Sequence, residues 1–242
     1  MKNLVIDIGN TRIKAALFEG LTLREEFSVE YMDELRGHIE EWAFDHVMVS
    51  SVRWNKEELE LMLPFGFLFL DREARFPVEN HYETPHTLGL DRLAAAIGAY
   101  SLAEKGPVLS VDLGTCITFD FIDSADRYLG GAISPGMQMR FQAMNRQTAK
   151  LPLIEMVMGD EPPGFIGKNT VEGMKSGVYY GIQKEIEGTI SQYQHQHQGL
   201  KVFICGGDAK FFESLTKDHI FVIPNLVLHG LNRILIYNVN KN

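Results

Sequence analysis

Cysteine is nearly absent from this chain. Its 242 residues hold two, Cys116 and Cys205, with no CxxC spacing. That excludes a disulfide framework and a cysteine-built zinc site, and both read as reduced small hydrophobes in a reducing compartment. No apolar run approaches the roughly 18 residues of a membrane span, and Met1-Lys2-Asn3 leads straight into a strand candidate, with no signal-peptide pattern. A cytoplasmic protein without a membrane partner is expected. Positive charge is also short. Lys and Arg number 23 against 32 Asp and Glu, for a net charge of −9, so a nucleic-acid partner is not expected. A small anionic substrate remains compatible, because a few donors aimed at phosphate outweigh a negative periphery.

Several familiar motifs are missing too. There is no GxGxxG for a dinucleotide and no GxSxG nucleophile turn. Gly164 to Thr170 lacks the GxxxxGK[ST] spacing and follows Pro162-Pro163 rather than a strand. His195 and His197 lack further ligands nearby in sequence and read as a solvated helix end.

What is present is a duplication. Leu4-Val5-Ile6-Asp7-Ile8-Gly9-Asn10-Thr11 returns as Leu109-Ser110-Val111-Asp112-Leu113-Gly114-Thr115. Each copy is an apolar strand ending in Asp-x-Gly, followed by a second β-rich stretch, Ile13–Phe18 or Ile117–Ile122. A carboxylate delivered by an apolar strand is costly to bury unless a cation or donors compensate it. Beside the open backbone of a Gly turn it suits a nucleotide phosphate and its cation. In the second copy Thr118 and Asp120 alternate on one face, which leaves Asp120 either a site residue or a solvent-facing polar position.

The strand and helix signals read β-β-β-α-β-α-β twice, with a boundary near Gly106: residues 1–105 form one unit and 106–242 the other. A helix is expected from Asp33 to about Phe44, a strand over Gly66–Leu70, a loop from Arg75 to Leu88, and a helix started by Pro135. Gly89-Leu90-Asp91-Arg92 opens the helix after that loop. It reads as a plain helix start or as a substrate pocket whose carboxylate accepts a hydroxyl proton. Gly130-Gly131 through Gly136, and Gly206-Gly207-Asp208, join strands to helix starts and suit either tight connections or anion contacts.

Taken in order, these segments resemble the acetate kinase, sugar kinase, Hsp70 and actin superfamily. Within it they resemble type III pantothenate kinases, through Asp7 to Thr11, Tyr82-x-x-Pro85 with Gly89-x-Asp91-Arg92, Asp112 to Thr115, Gly130 to Gly136 and Gly206-Gly207. The resemblance runs from Met1 to the last helix, with Cys116 a mild variation. It implies two ribonuclease-H-like, actin-like ATPase domains of α/β class with an ATP cleft between them. It implies ATP-dependent phosphorylation of pantothenate to 4′-phosphopantothenate, the first step of coenzyme A synthesis. In the implied roles Asp7, Ile8, Gly9, Asn10, Thr11, Arg12, Ile13, Lys14 and Thr115 hold ATP, with Asp7 near Mg²⁺. Asp91 is the general base, and Tyr82, Gly89, Leu90, Asp91, Arg92 and Thr170 hold pantothenate. Asp112 takes K⁺ or NH₄⁺. The resemblance further implies a homodimer with the pantothenate pocket at its interface, so that Thr170 serves the neighbouring subunit's site. Arg92 is expected to face the pantothenate carboxylate or a phosphate. The alternatives are another small-molecule kinase of the same fold, or a non-enzymatic nucleotide-binding regulatory protein.

Overall fold

Hydrophobic alternation in β1, Lys2–Ile8, sends Leu4, Ile6 and Ile8 to one face of a sheet and Val5 to the other. Asp7 follows Val5. In β7, Val108–Leu113, the residues Leu109, Val111 and Leu113 take one face and Val108 the other; Asp112 follows Val108. This period of two decides where both carboxylates go.

The computed structural model describes residues 1–104, 106–157, 160–215 and 217–240. The first sheet has the order β3-β2-β1-β4-β5, with β2 Ile13–Glu19, β3 Thr22–Val29, β4 His46–Ser51 and β5 Leu68–Phe69. The second has the order β11-β10-β7-β8-β9-β6, with β6 Glu79–Asn80, β8 Cys116–Ile122, β9 Arg127–Pro135, β10 Lys201–Cys205 and β11 Ile220–Val222. In the first sheet β3-β2 and β2-β1 pair antiparallel and β1-β4 and β4-β5 parallel. In the second β9-β8 and β8-β7 likewise pair antiparallel and β7-β10 and β10-β11 parallel, with β6 added parallel to β9 at the edge. The sequence duplication is thus a duplication of topology, with β1 matching β7 and β4 matching β10.

Two helices fill the space between the sheets. Both α3, Leu90–Ala103, and α6, Leu226–Val239, are rich in buried apolar residues. They cross so closely that a Cβ on Gly98 would lie 2.2 Å from the Leu226 carbonyl, and one on Gly230 would lie 1.8 Å from the Ala94 carbonyl. Each helix packs across the chain's midpoint, α3 on β7, β8 and β10, and α6 on β1, β2 and β4. A buried amide pair fixes α6 to the first sheet: Asn3 Nδ2 donates to Asn232 Oδ1 at 2.7 Å. The outer face of the first sheet is covered by α1, Met32–Ile39, and α2, Lys56–Met62. The outer face of the second is covered by α4, Met137–Gln147, and α5, Thr170–Gln196.

Several local expectations need correction. Helix α1 stops at Ile39; Trp42 and Phe44 pack on the first sheet's outer core from the loop beyond. The strand expected over 66–70 shrinks to Leu68–Phe69. The loop before Gly89 carries β6, which pairs with β9 in the second sheet. Pro135 ends β9, and α4 starts from Gly136; a Cβ on Gly136 would lie 2.2 Å from the Gly114 carbonyl, so the second Asp-x-Gly turn sits against this helix start. His197 packs against Phe121, with ring centroids 4.3 Å apart and the planes tilted by 36°, so this end of α5 is not purely solvated.

The helix crossing yields a test. A methyl at Gly230 has no room, and overpacking of this kind costs about 2 kcal/mol or more. Gly230→Ala is expected to lower the urea midpoint clearly while the far-UV spectrum of the folded protein stays unchanged. An unchanged midpoint would contradict the crossing.

Candidate active site

The alternation described above points Asp7 and Asp112 into the space between the two sheets. Register then supplies their neighbours. Asp7 lies opposite Lys14 on β2 and Ser50 on β4. Asp112 lies opposite Thr118 on β8 and Cys205 on β10. Gly206 follows with φ +96°, a conformation glycine adopts without strain, and a Cβ there would fall 2.4 Å from Asp112 Oδ1. The glycine after β10 is therefore required by both backbone and space.

Burial raises the Asp7 carboxyl from 3.8 to about 6, against the lowering effects of Lys14 and the Ser50 hydroxyl, with Asp91 adding repulsion. Asp112 is likewise raised to about 6 by burial, with Lys14 opposing and Asp91, Asp120 and Asp7 repelling. Four carboxylates thus share one field, and Lys14 is the cation acting on both Asp7 and Asp112. A nucleotide's cations would complete the charge balance.

Two clefts of about 440 Å³ each open beside these residues and share Asp7, Gly9 and Asp91. One runs from Asn10 and Ser51 past Arg72 to Thr87 and Gly89. The other runs along Thr11, Arg12 and Lys14 to Asp112, Thr115 and Gly206. The turn between β1 and β2 closes with the Gly9 amide donating to the Arg12 carbonyl at 3.0 Å. Arg12 is exposed and makes a long 3.7 Å ion pair with Glu30. Ile8 and Ile13 place their side chains wholly in the core, so main-chain atoms are what they offer a ligand.

Asp91 stands where the two clefts meet. The α3 N-cap is Gly89, without a side-chain cap. Asp91 Oδ1 accepts the Arg92 amide at 2.9 Å, and a Cβ on Gly89 would lie 2.5 Å from that oxygen. Leu90 lines the first cleft. Arg92 turns away from both clefts: its Nε and Nη2 donate to Asp120 Oδ2 and Oδ1 at 3.2 and 2.7 Å. Its guanidinium lies over Tyr82, 5.9 Å from the ring centroid. The solvent-facing alternative for Asp120 is therefore overturned, since it is 1% exposed.

Among the expected site residues Tyr82 and Arg92 line neither cleft, and Thr170 lies apart from both. It begins α5 and lines a separate groove of about 450 Å³ with Arg140, Met144 and Met174. Two residues not foreseen from the sequence belong to the site. Arg72 lines the first cleft and donates to the Pro85 and Leu88 carbonyls, tying down the loop before Gly89. Arg53 Nε donates to the Gly9 carbonyl at 2.5 Å and so braces the first Asp-x-Gly turn from β4's end. Neither arginine lies in a segment that the sequence motifs single out.

Among the described residues no cluster of three or more His, Cys, Asp or Glu forms a metal cage. Protein sites usually hold Mg²⁺ through one or two carboxylates together with substrate phosphates. The buried Asp7 carboxylate, set between Lys14 and Ser50 beside an open cleft, fits that role.

A pH dependence follows with a definite sign. Both carboxyls titrate higher in the fold than in the unfolded chain, so the native state binds protons more tightly and loses stability as pH rises from about 4 through 6. A rise from 3.8 to about 6 corresponds to roughly 3 kcal/mol at most. In K⁺-free buffer Asp112→Asn is expected to raise the apoprotein's melting temperature by several degrees at pH 8 and hardly at all at pH 4.5. A variant that melts lower than wild type at pH 8 would contradict the burial argument.

Comparison with known proteins identifies the family. The type III pantothenate kinase family matches residues 3–192. A type III pantothenate kinase from Cytophaga hutchinsonii is 43% identical over 237 residues, covering 98% of this chain and 100% of the relative. Among solved structures, a Campylobacter jejuni protein described as a Baf family transcriptional activator superposes with a TM-score of 0.60 at 24% identity, covering 98% of this chain and 99% of that one. A Listeria monocytogenes protein described as an N-acetylmannosamine kinase gives 0.58 at 16% identity, covering both chains fully. At such identities the structural likeness shows the fold alone, the two-sheet α/β architecture of the actin-like ATPases and sugar kinases. The sequence matches show more: this chain belongs to the type III pantothenate kinases.

Proposed function

We infer that this protein transfers the γ-phosphoryl group of ATP to the primary hydroxyl of pantothenate, giving 4′-phosphopantothenate and ADP at the entry to coenzyme A synthesis. The observation that carries this reading is Asp91, held at the junction of two clefts that share Asp7 and Gly9, in a chain that belongs to this family.

In the proposed mechanism the nucleotide lies along Asp7 to Lys14 and Thr115, with Lys14, Arg12 and the turn amides meeting the phosphates. Mg²⁺, held by Asp7 and the phosphates, would neutralise charge on the transferring group. Asp112 would hold a monovalent cation, K⁺ or NH₄⁺. Asp91 Oδ2 takes the proton of the pantothenate hydroxyl as its oxygen bonds to the γ-phosphorus. The bond to the β,γ-bridging oxygen breaks and ADP leaves. Positioning supplies most of the rate in such transfers. Tyr82 and Gly89 to Arg92 form the acceptor's side of the site.

The subunit arrangement proposed is a homodimer. Thr170 stands apart from its own chain's clefts. Beside it Phe165, Ile166 and Val171 are exposed by 72%, 79% and 41%, an apolar surface suited to a second copy. Thr170 would then reach the neighbour's acceptor pocket. The proposed compartment is the cytoplasm, in keeping with two free cysteines.

The reaction is tested by pantothenate-dependent ADP release with Mg²⁺, in K⁺ and in Na⁺ alone. Release that requires pantothenate supports the reading, and its dependence on K⁺ supports the cation site; ATP binding without release overturns the substrate assignment. Asp91→Asn is expected to lower kcat by about 10² or more; near-normal turnover would remove Asp91 as base. Mixing Asp91→Asn with Thr170→Arg subunits should restore activity, because each mixed dimer regains one intact site of two. No recovery would place Thr170 with its own chain's site, or in none.

A further inference from the structure

We propose that Asp120 is a positioning residue for the phosphoryl transfer, clamping Arg92 so that the start of α3 holds Asp91 against the second sheet. The inference goes beyond the reaction and rests on Asp91 as its base.

The strand period puts Asp120 on the inner face of β8, beside Thr118 and therefore on the side of Asp112. It is 1% exposed, and the Arg92 side chain facing it is 11% exposed. Both carboxylate oxygens are engaged by Arg92 in a forked arrangement, and the Tyr128 hydroxyl donates to Oδ1 at 2.6 Å. Tyr128 is wholly buried. The network continues to the acceptor loop. The Arg92 guanidinium packs over Tyr82, and the Tyr82 ring would lie 2.8 Å from a Cβ on Gly130. Gly130 has φ +89°, so β9 carries no side chain where the Tyr82 ring comes in.

This arrangement links three segments far apart in sequence: the Tyr82 loop, the Gly89–Arg92 turn and the β8–β9 pair. Arg92 is the residue after Asp91, and its amide is the donor that Asp91 Oδ1 accepts. Fixing the Arg92 side chain therefore fixes the amide that orients the base. Two of the Arg92 donor groups are committed to Asp120, so Asp120 sets where the guanidinium stands beside Tyr82. Burial raises the Asp120 carboxyl above its ordinary value, while the hydrogen bonds from Arg92 and Tyr128 oppose that rise.

The test is a mutant cycle read by steady-state kinetics and circular dichroism. Asp120→Asn keeps the shape and removes the charge that holds Arg92. It is expected to lower kcat at least tenfold while KM for ATP stays within twofold. If Asp120 acts through Asp91, the double variant Asp91→Asn/Asp120→Asn is no slower than Asp91→Asn alone. Wild-type turnover in Asp120→Asn overturns the proposal, and so does a double variant slower by the product of the two single effects. Should Asp120→Asn fail to fold, Tyr128→Phe removes one hydrogen bond to the same carboxylate and keeps the ring. A threefold or greater fall in kcat, absent in the Asp91→Asn background, then supports the proposal, and unchanged kcat overturns it. An active Asp91→Asn enzyme beside a slow Asp120→Asn enzyme would mark a different failure, that of Asp91 as base.

Discussion

Two carboxylates are forced into the space between the sheets by the pleat of their own strands. Asp7 shares a face with Val5, and Asp112 with Val108, because their neighbours on either side are needed in the outer cores. Burying two acids close to a third and a fourth is unfavourable, and Lys14 acts on both. Much else in the site answers to this constraint. Ser50 bonds Asp7, and Gly206 leaves room for the Asp112 oxygen. The clefts open where cations and phosphates could finish the neutralisation. Stability is thereby given up in the empty protein for charge organised ahead of the reaction, which is where electrostatic catalysis draws its strength.

The frame that holds the carboxylates in place is the crossing of α3 and α6. Each helix follows the last strands of its half and packs on the other half's sheet. Asp91 begins one of these helices, so the proposed base is positioned by the same contact that joins the halves. Arg92, Asp120 and Tyr128 add a second tie, from the start of α3 to β8 and β9. Chemistry and assembly therefore depend on the same few close approaches, among them Gly98 on Gly230.

Much of this was legible in the chain. The repeated apolar strand with Asp-x-Gly disclosed both the duplicated topology and its two buried acids, since alternation and turn chemistry are local. Gly89 to Arg92 was legible as a helix start of special composition. What stayed hidden depends on contacts distant in sequence. Asp120 on its strand looks the same whether it faces water or Arg92, 28 residues away. Arg72 and Arg53 carry no motif and gain meaning only from the carbonyls they reach. β6 is two residues long and is defined by its partner β9 rather than by propensity. The turn at Pro135 went to the strand because Gly136 must sit against the Gly114 carbonyl.

Burial of Asp7 and Asp112 makes both take up protons near pH 6, which a nucleotide's cations would displace. Calorimetry of Mg²⁺ with a non-hydrolysable ATP analogue, in K⁺ at pH 6 and in buffers of different ionisation enthalpy, counts the protons exchanged on binding. With both carboxyls near 6, complex formation should release up to about one proton per site. Release should fall away at pH 8, where both groups are already ionised, and shrink in Asp7→Asn. Binding at pH 6 with no proton release would contradict the account.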